Sequence, residues 1–291
     1  MTVGVGVLCD EGRAIVLVSD KRIGKGYIEE DLQITKFQMI HPHWWMVLSG
    51  DDISPLFELA DLARAELSAT PVALERVMEV MQRNYELIRM RRAEAEHLKP
   101  LGWTIDRFNR EGSGSLPNYE VIQSRVREYE LAVEILVAGF DGKLVPPGKI
   151  FTMSSVNRGI PIRHDIPGFA TIGSGAAGAE YMLFFKDVSQ KLPVRAAVYY
   201  ALEAKYFGEH ASGVGESTDM FVLQFDGAIV HFVQINDEKT IERKLMPMCG
   251  RLEPRHVEEE KDIDILNALP ELKGLPLLPK RRKHKKREAA E

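Results

Sequence analysis

The chain has 291 residues, 45% of them hydrophobic and 28% charged, with 38 basic against 43 acidic side chains and a formal net charge of -5. That composition supplies enough apolar material for one large core or two small ones and excludes disorder throughout. The cations gather in the run Lys280 to Arg287, so the folded part is more acidic than the total, which argues against a nucleic-acid partner. Cys9 and Cys249 are the two cysteines, which fits a reducing compartment and gives no disulfide framework. No apolar run approaches the roughly 20 residues that cross a bilayer, and Met1-Thr2-Val3-Gly4 lacks the charged start of a signal peptide. A cytoplasmic protein without a membrane partner is expected.

From Thr2 to Cys9, valines at 3, 5 and 7 alternate with Gly4 and Gly6, a strand with one nearly bare face that Thr2 shares. Glu11-Gly12-Arg13 reads as a turn, and Ala14 to Val18 is an apolar run expected of a strand covered on both sides. Strand patterns continue over Asp31 to Met39 and His43 to Leu48. The period changes at Ser49-Gly50-Asp51-Asp52, after which Ser54 as cap and Pro55 at the first position open a helix. Thr70-Pro71 opens a second helix, running toward Glu96. The polar segment from Lys99 to Asn118, with Glu111-Gly112-Ser113-Gly114-Ser115, reads as a surface loop.

Leu131 to Phe140, Lys149 to Met153 and Phe169 to Ile172 are expected strands, the last ending in Gly173-Ser174-Gly175. Helices follow over Ala176 to Lys186 and Val194 to Phe207, then a hairpin from Met220 to Ile235 turning at Asp226-Gly227. Adjacent helix pairs cannot serve as the single crossovers of a doubly wound parallel sheet. The order suits a four-layer α/β/β/α sandwich better. This domain is expected over residues 1–245. Residues 246–291 read as a C-terminal extension with a basic, disordered tail.

The start of the chain carries a chemical suggestion. Removal of Met1 would leave Thr2 with both a hydroxyl nucleophile and an α-amine of reference pKa about 7.7–8.0, able to accept a proton near neutral pH. The nucleophile would bring its own base.

Val5-Gly6-Val7, the run Ile15 to Val18 and then Ser19-Asp20-Lys21-Arg22 resemble the opening of proteasome β-subunits and their bacterial relatives. Lys36 stands 16 positions beyond Asp20, and Gly50 a further 14 beyond Lys36. Those intervals match the family's catalytic aspartate, catalytic lysine and oxyanion glycine without a gap. Further on, Ile172-Gly173-Ser174-Gly175 and Glu209-His210-Ala211-Ser212-Gly213 look like its glycine-serine-glycine and acid-x-x-Ser-Gly motifs.

By that resemblance the fold would be that of an N-terminal-nucleophile hydrolase, and Thr2 its nucleophile. Lys36 would favour the ionised hydroxyl, Asp20 would orient Lys36, and Gly50 would offer a backbone N–H to the oxyanion. Ser174 and Ser212 would surround the Thr2 amine, with Glu209 supporting them from behind. The segment around Gly24 would pair with a peptide backbone, and Ile23, Ile34, Leu48 and Asp52 would line a side-chain pocket.

The chain departs from the family in three places. Glu209 replaces the usual aspartate, the turn at Gly12-Arg13 is longer by two residues, and the segment from about Glu94 to Tyr129 is longer than in typical members.

The resemblance implies a threonine-type endopeptidase acting on peptides or unfolded proteins, with no metal or organic cofactor. It also implies a homo-oligomer, a ring or related assembly, served by an ATP-dependent unfoldase. Two other readings stay open: a catalytically inactive scaffold or gating subunit of the same fold, and an amidase using the same nucleophile on a small amide. Gly173-x-Gly175-x-x-Gly178 formally matches a dinucleotide fingerprint, but a second helix follows instead of a parallel strand. His41-Pro42-His43 lacks nearby third and fourth metal ligands.

Overall fold

A computed structural model of the chain describes residues 2–25, 28–31, 35–50, 52–68, 71–211, 213–215 and 217–235. The expected extension from Met246 onward, its basic run and Thr70 lie outside the described residues, and the second helix begins at Leu74, after Ala73, instead of at Pro71. The strands are β1 (Gly4–Cys9), β2 (Ala14–Asp20), β3 (Arg22–Lys25), β4 (Ile28–Asp31), β5 (Phe37–His41) and β6 (Trp44–Gly50). They continue with β7 (Val133–Phe140), β8 (Gly148–Ser154), β9 (Ile162–Arg163), β10 (Phe169–Ile172), β11 (Thr218–Phe225) and β12 (Val230–Ile235). Six α-helices occur among the described residues: α1 (Ser54–Glu66), α2 (Leu74–Ala93), α3 (Ile105–Ser115), α4 (Tyr119–Glu128), α5 (Ala176–Phe185) and α6 (Val194–Gly208).

The protein is therefore mixed α/β with two five-stranded antiparallel sheets, ordered β10-β1-β2-β11-β12 and β5-β6-β7-β8-β9, and a β3-β4 hairpin. Alternation along β2 explains how a continuous apolar run is accommodated. Val16 and Val18 join a cluster with Val3, Val5 and Val7 and residues of α5 and α6, while Ile15 and Leu17 point the other way. There they meet Val47, Leu136 and Ile150 of the second sheet. Along β6, Trp45 and Val47 enter that shared cluster, whereas Trp44, Met46 and Leu48 pack with α1 and α2. Each buried aliphatic side chain contributes roughly 1.5–3 kcal/mol of transfer free energy.

The glycine face of β1, bare in the sequence, is filled in space. A β-carbon on Gly4 would stand 2.7 Å from Ile172 Cγ1, and one on Gly6 3.1 Å from Leu136 Cδ2. The missing side chains let neighbouring side chains close over this strand, and the alternation that directs Val3 and Val5 toward the helices sends Thr2 the other way.

Two further expectations need correction. Ser54 is the first helical residue of α1 and not its cap; Asp52 Oδ1 instead accepts the Ser54 N–H at 2.9 Å. The segment read as a surface loop, Lys99 to Asn118, contains α3, which with α4 beyond it packs around a satellite core of Ala93, Leu98, Trp103, Phe108 and Val126. Thr104 caps α3 by accepting the Arg107 N–H at 3.3 Å. Gly112 is needed within that helix, because a β-carbon there would stand 2.8 Å from the Tyr119 ring.

Candidate active site

The site lies where β1 begins. Asp20 ends β2, antiparallel to β1, and the two strands exchange bonds there: Val3 N–H donates to Asp20 Oδ1 at 3.0 Å and Asp20 N–H to the Val3 carbonyl at 3.2 Å. Lys36 precedes β5, and its carbonyl accepts the Leu48 N–H at 3.0 Å, which fixes the residue to β6. Its side chain thereby runs between the sheets toward β1.

Lys36 Nζ donates to Thr2 Oγ1 at 2.6 Å and to Asp20 Oδ1 at 2.9 Å. Thr2, Asp20 and Lys36 are each at most 2% exposed. Ionising a buried carboxylate costs several kcal/mol unless its acceptor sites are filled, and those of Asp20 are. Oδ1 receives Val3 N–H and Lys36, while Oδ2 receives the N–H groups of Arg22 and Gly215, both at 3.1 Å. Two donors on each oxygen match the capacity of a carboxylate. The aspartate is thus held in one orientation and the ammonium with it.

Ser174 approaches Thr2 from the loop after β10. Its hydroxyl accepts the Thr2 N–H at 3.3 Å and lies 3.4 Å from the Thr2 carbonyl, to which Gly175 N–H also donates at 3.1 Å. Gly173 adopts φ +90°, a left-handed conformation suited to glycine. Its N–H donates to the carboxylate of Glu134 on β7, which ties the loop to the second sheet.

The remaining residues singled out from sequence occupy varied positions. Gly50 closes β6, three residues beyond Val47, whose Cγ1 lies 3.3 Å from the β-carbon position of Gly4. Glu209 follows α6 and pairs with Lys205 of that helix. Leu48 is fully buried in the α1/α2 cluster, and Asp52 is exposed and paired with Arg92 at 3.0 Å. Hydrogen bonding to Ser54, then to Arg92, holds the Asp52 carboxyl below its ordinary range. Ile23 and Gly24 belong to β3 and are described by backbone alone; Gly24 pairs with Glu29. Ile34 and Ser212 lie outside the described residues.

Sequence reasoning overlooked Glu134 and Lys205. Glu134 sits among apolar neighbours in a strand, and a lysine at helical spacing from Glu209 reads as an ordinary surface pair. Lys205 is in fact fully buried. A charged residue within the apolar stretch of α6 was the available signal.

Chemically, the cluster offers a hydroxyl touching a fixed ammonium, with a backbone nitrogen of the same residue beside a second hydroxyl. Among the described residues no group of three or more His, Cys, Asp or Glu could hold a metal ion, and no helix is long and apolar enough to cross a membrane. No protein-family model matches the chain, and no curated protein is significantly similar to it.

Proposed function

We propose that the protein is a threonine peptidase of the N-terminal-nucleophile type, with Thr2 as the nucleophile after removal of Met1. The observation that carries this reading is the 2.6 Å contact between Lys36 Nζ and Thr2 Oγ1 inside a buried, hydrogen-bonded cluster. A structural ion pair would need only Lys36 and Asp20. The ammonium also reaches the hydroxyl of the second residue of the chain, where it favours the alkoxide form.

In this reading the Thr2 hydroxyl attacks a peptide carbonyl, and its proton passes to the α-amine that Met1 removal creates beside Ser174 Oγ. The carbonyl oxygen gains charge and receives the Gly50 N–H. The amine then protonates the departing peptide nitrogen as the carbon–nitrogen bond breaks, leaving an ester on Thr2. Water, activated by the same amine, hydrolyses that ester and restores the hydroxyl. Lys36 keeps its charge throughout, and Asp20 holds it in place.

The fold supports this reading at a coarser level. Two antiparallel sheets share one apolar cluster, with α5 and α6 packed on the outer face of one and α1 and α2 on the other, as an α/β/β/α sandwich requires. Assembly into a ring of identical subunits with a partner unfoldase belongs to the same proposal, since an open peptidase in a cell would need its site sequestered.

Peptide hydrolysis by the wild-type chain and by Thr2→Ala, with circular dichroism of both, tests the proposal. Loss of turnover in a folded Thr2→Ala supports it. Full turnover in that variant removes it.

A further inference from the structure

Lys205 is fully buried on α6, and nothing in the chemistry above uses it directly. Its ammonium meets the Glu209 carboxylate one turn further along and the Gly215 carbonyl at 3.1 Å. A lysine placed N-terminal to a glutamate is the less favourable order for a helix pair. Burying the Lys205 ammonium, with Glu209 half-buried beside it, adds a desolvation cost that a leucine or methionine at 205 would avoid. Helix stability alone therefore does not account for a charge at this position.

Gly215 supplies the account. Its carbonyl is held by Lys205, and its own N–H is the 3.1 Å donor to Asp20 Oδ2. Asp20 Oδ1 binds Lys36, and Lys36 binds Thr2 Oγ1. The end of α6 that carries Lys205 is itself pinned, because a β-carbon on Gly208 would stand 2.7 Å from Val3 Cγ2 and 3.0 Å from the Gly175 carbonyl. The helix thus has a fixed position relative to the start of β1.

We infer that Lys205 is a positioning residue for the Thr2 site: with Glu209 it anchors Gly215, which aims the Asp20 carboxylate and through it the Lys36 ammonium. The inference rests on Thr2 being the nucleophile. Without the Lys205 ammonium, Gly215 loses its anchor and Asp20 Oδ2 one of its two fixed donors, leaving it the Arg22 N–H alone. The Lys36 ammonium then drifts from Thr2 Oγ1, and displacement by about 1 Å at such a site costs on the order of a hundredfold in rate. Glu209 acquires a purpose in the same scheme, as the counter-ion that keeps Lys205 charged.

The test is titration of the full-length protein with a threonine-directed β-lactone, giving both the number of reactive Thr2 sites per chain and the rate constant per site. Lys205→Met should leave the number of sites unchanged and slow each about tenfold to a hundredfold. Glu209→Gln, a milder change that serves if Lys205→Met does not fold, should slow each site less. Lys186→Met is the control. Lys186, just after α5, forms a buried pair with Glu203 of α6 at 3.4 Å, so its loss should lower stability and leave the rate per site unchanged.

Wild-type rates per site in folded Lys205→Met or Glu209→Gln would overturn the inference while leaving the nucleophile assignment intact. Equal slowing in Lys186→Met would overturn it too, since the effect would then belong to any buried pair. No adduct on Thr2 in the wild-type protein would overturn the assignment and the inference together.

Discussion

Gly173 lies against the carbonyl of Thr2 so closely that a β-carbon on it would stand 2.2 Å from that oxygen. Its φ of +90° is also one that an alanine adopts only under strain. Gly173→Ala should therefore push Thr2 away from Lys36, lowering reactivity at Thr2 by about tenfold or more and destabilising the fold by about 1–3 kcal/mol. Rate of modification by a β-lactone and a urea melt of the same sample measure both. Unchanged reactivity would mean that the Gly173 loop does not set the position of Thr2.

Lys36 and Asp20 form a buried pair in which removing one partner strands the other. Lys36→Met should cost about 3–5 kcal/mol, because it leaves the Asp20 carboxylate without its cation. Adding Asp20→Asn removes the stranded charge and should recover much of that loss. Reactivity of Thr2 should stay lost in both variants. Equilibrium unfolding together with peptide turnover separates the two effects, and restored turnover in the double variant would contradict the role given to the ammonium.

The satellite core offers a change remote from the chemistry. Phe108 is 1% exposed and stacks on Tyr119 at 4.8 Å between ring centroids. Phe108→Ala should cost about 3–5 kcal/mol, borne by α3 and α4. Hydrogen exchange should then show faster exchange in Ile105–Ser115 and Tyr119–Glu128, with β1, β2 and peptide turnover unaffected. Loss of turnover would show that these helices support the site.

Stability should also depend on pH through histidines. Burial lowers the pKa of both His164, whose Nε2 lies 2.8 Å from Thr152 Oγ1, and His43 from the ordinary 6.5. Below 6.5 the unfolded chain then binds more protons than the folded one, so their contribution is fully present above that value and is lost as pH falls through the folded pKa values. The melting temperature should be lower at pH 5 than at pH 7, and His164→Gln should narrow the difference. An identical difference in that variant would assign the slope to other groups.

Much of the candidate site was legible because its members stand at set intervals from one another along the chain, close to strand ends. Thr2 and Asp20 fall beside one antiparallel pair, β1 and β2, where spacing in sequence translates into register in space, while Lys36 reaches both from the start of β5 in the facing sheet. Lys205 and Glu134 were not legible for the complementary reason. Each is tied to a group far away in sequence, Lys205 to Asp20 by way of Gly215 and Glu134 to the Gly173 N–H, and no local pattern encodes such a meeting. The helices of the satellite core were obscured by Gly112, Ser113, Gly114 and Ser115, which favour loops in isolation. Packing of Phe108 and Tyr119 overrode that preference, and the glycine that suggested a loop is the residue that lets the Tyr119 ring approach.

The central claim is that Thr2, freed of Met1, is the reacting group. Intact-mass and peptide mass spectrometry before and after a threonine-directed β-lactone tests it most directly. The expected result is a chain lacking Met1 that gains one reagent mass on its N-terminal peptide, with no gain in Thr2→Ala. Retained Met1, or an adduct located anywhere but Thr2, would contradict it.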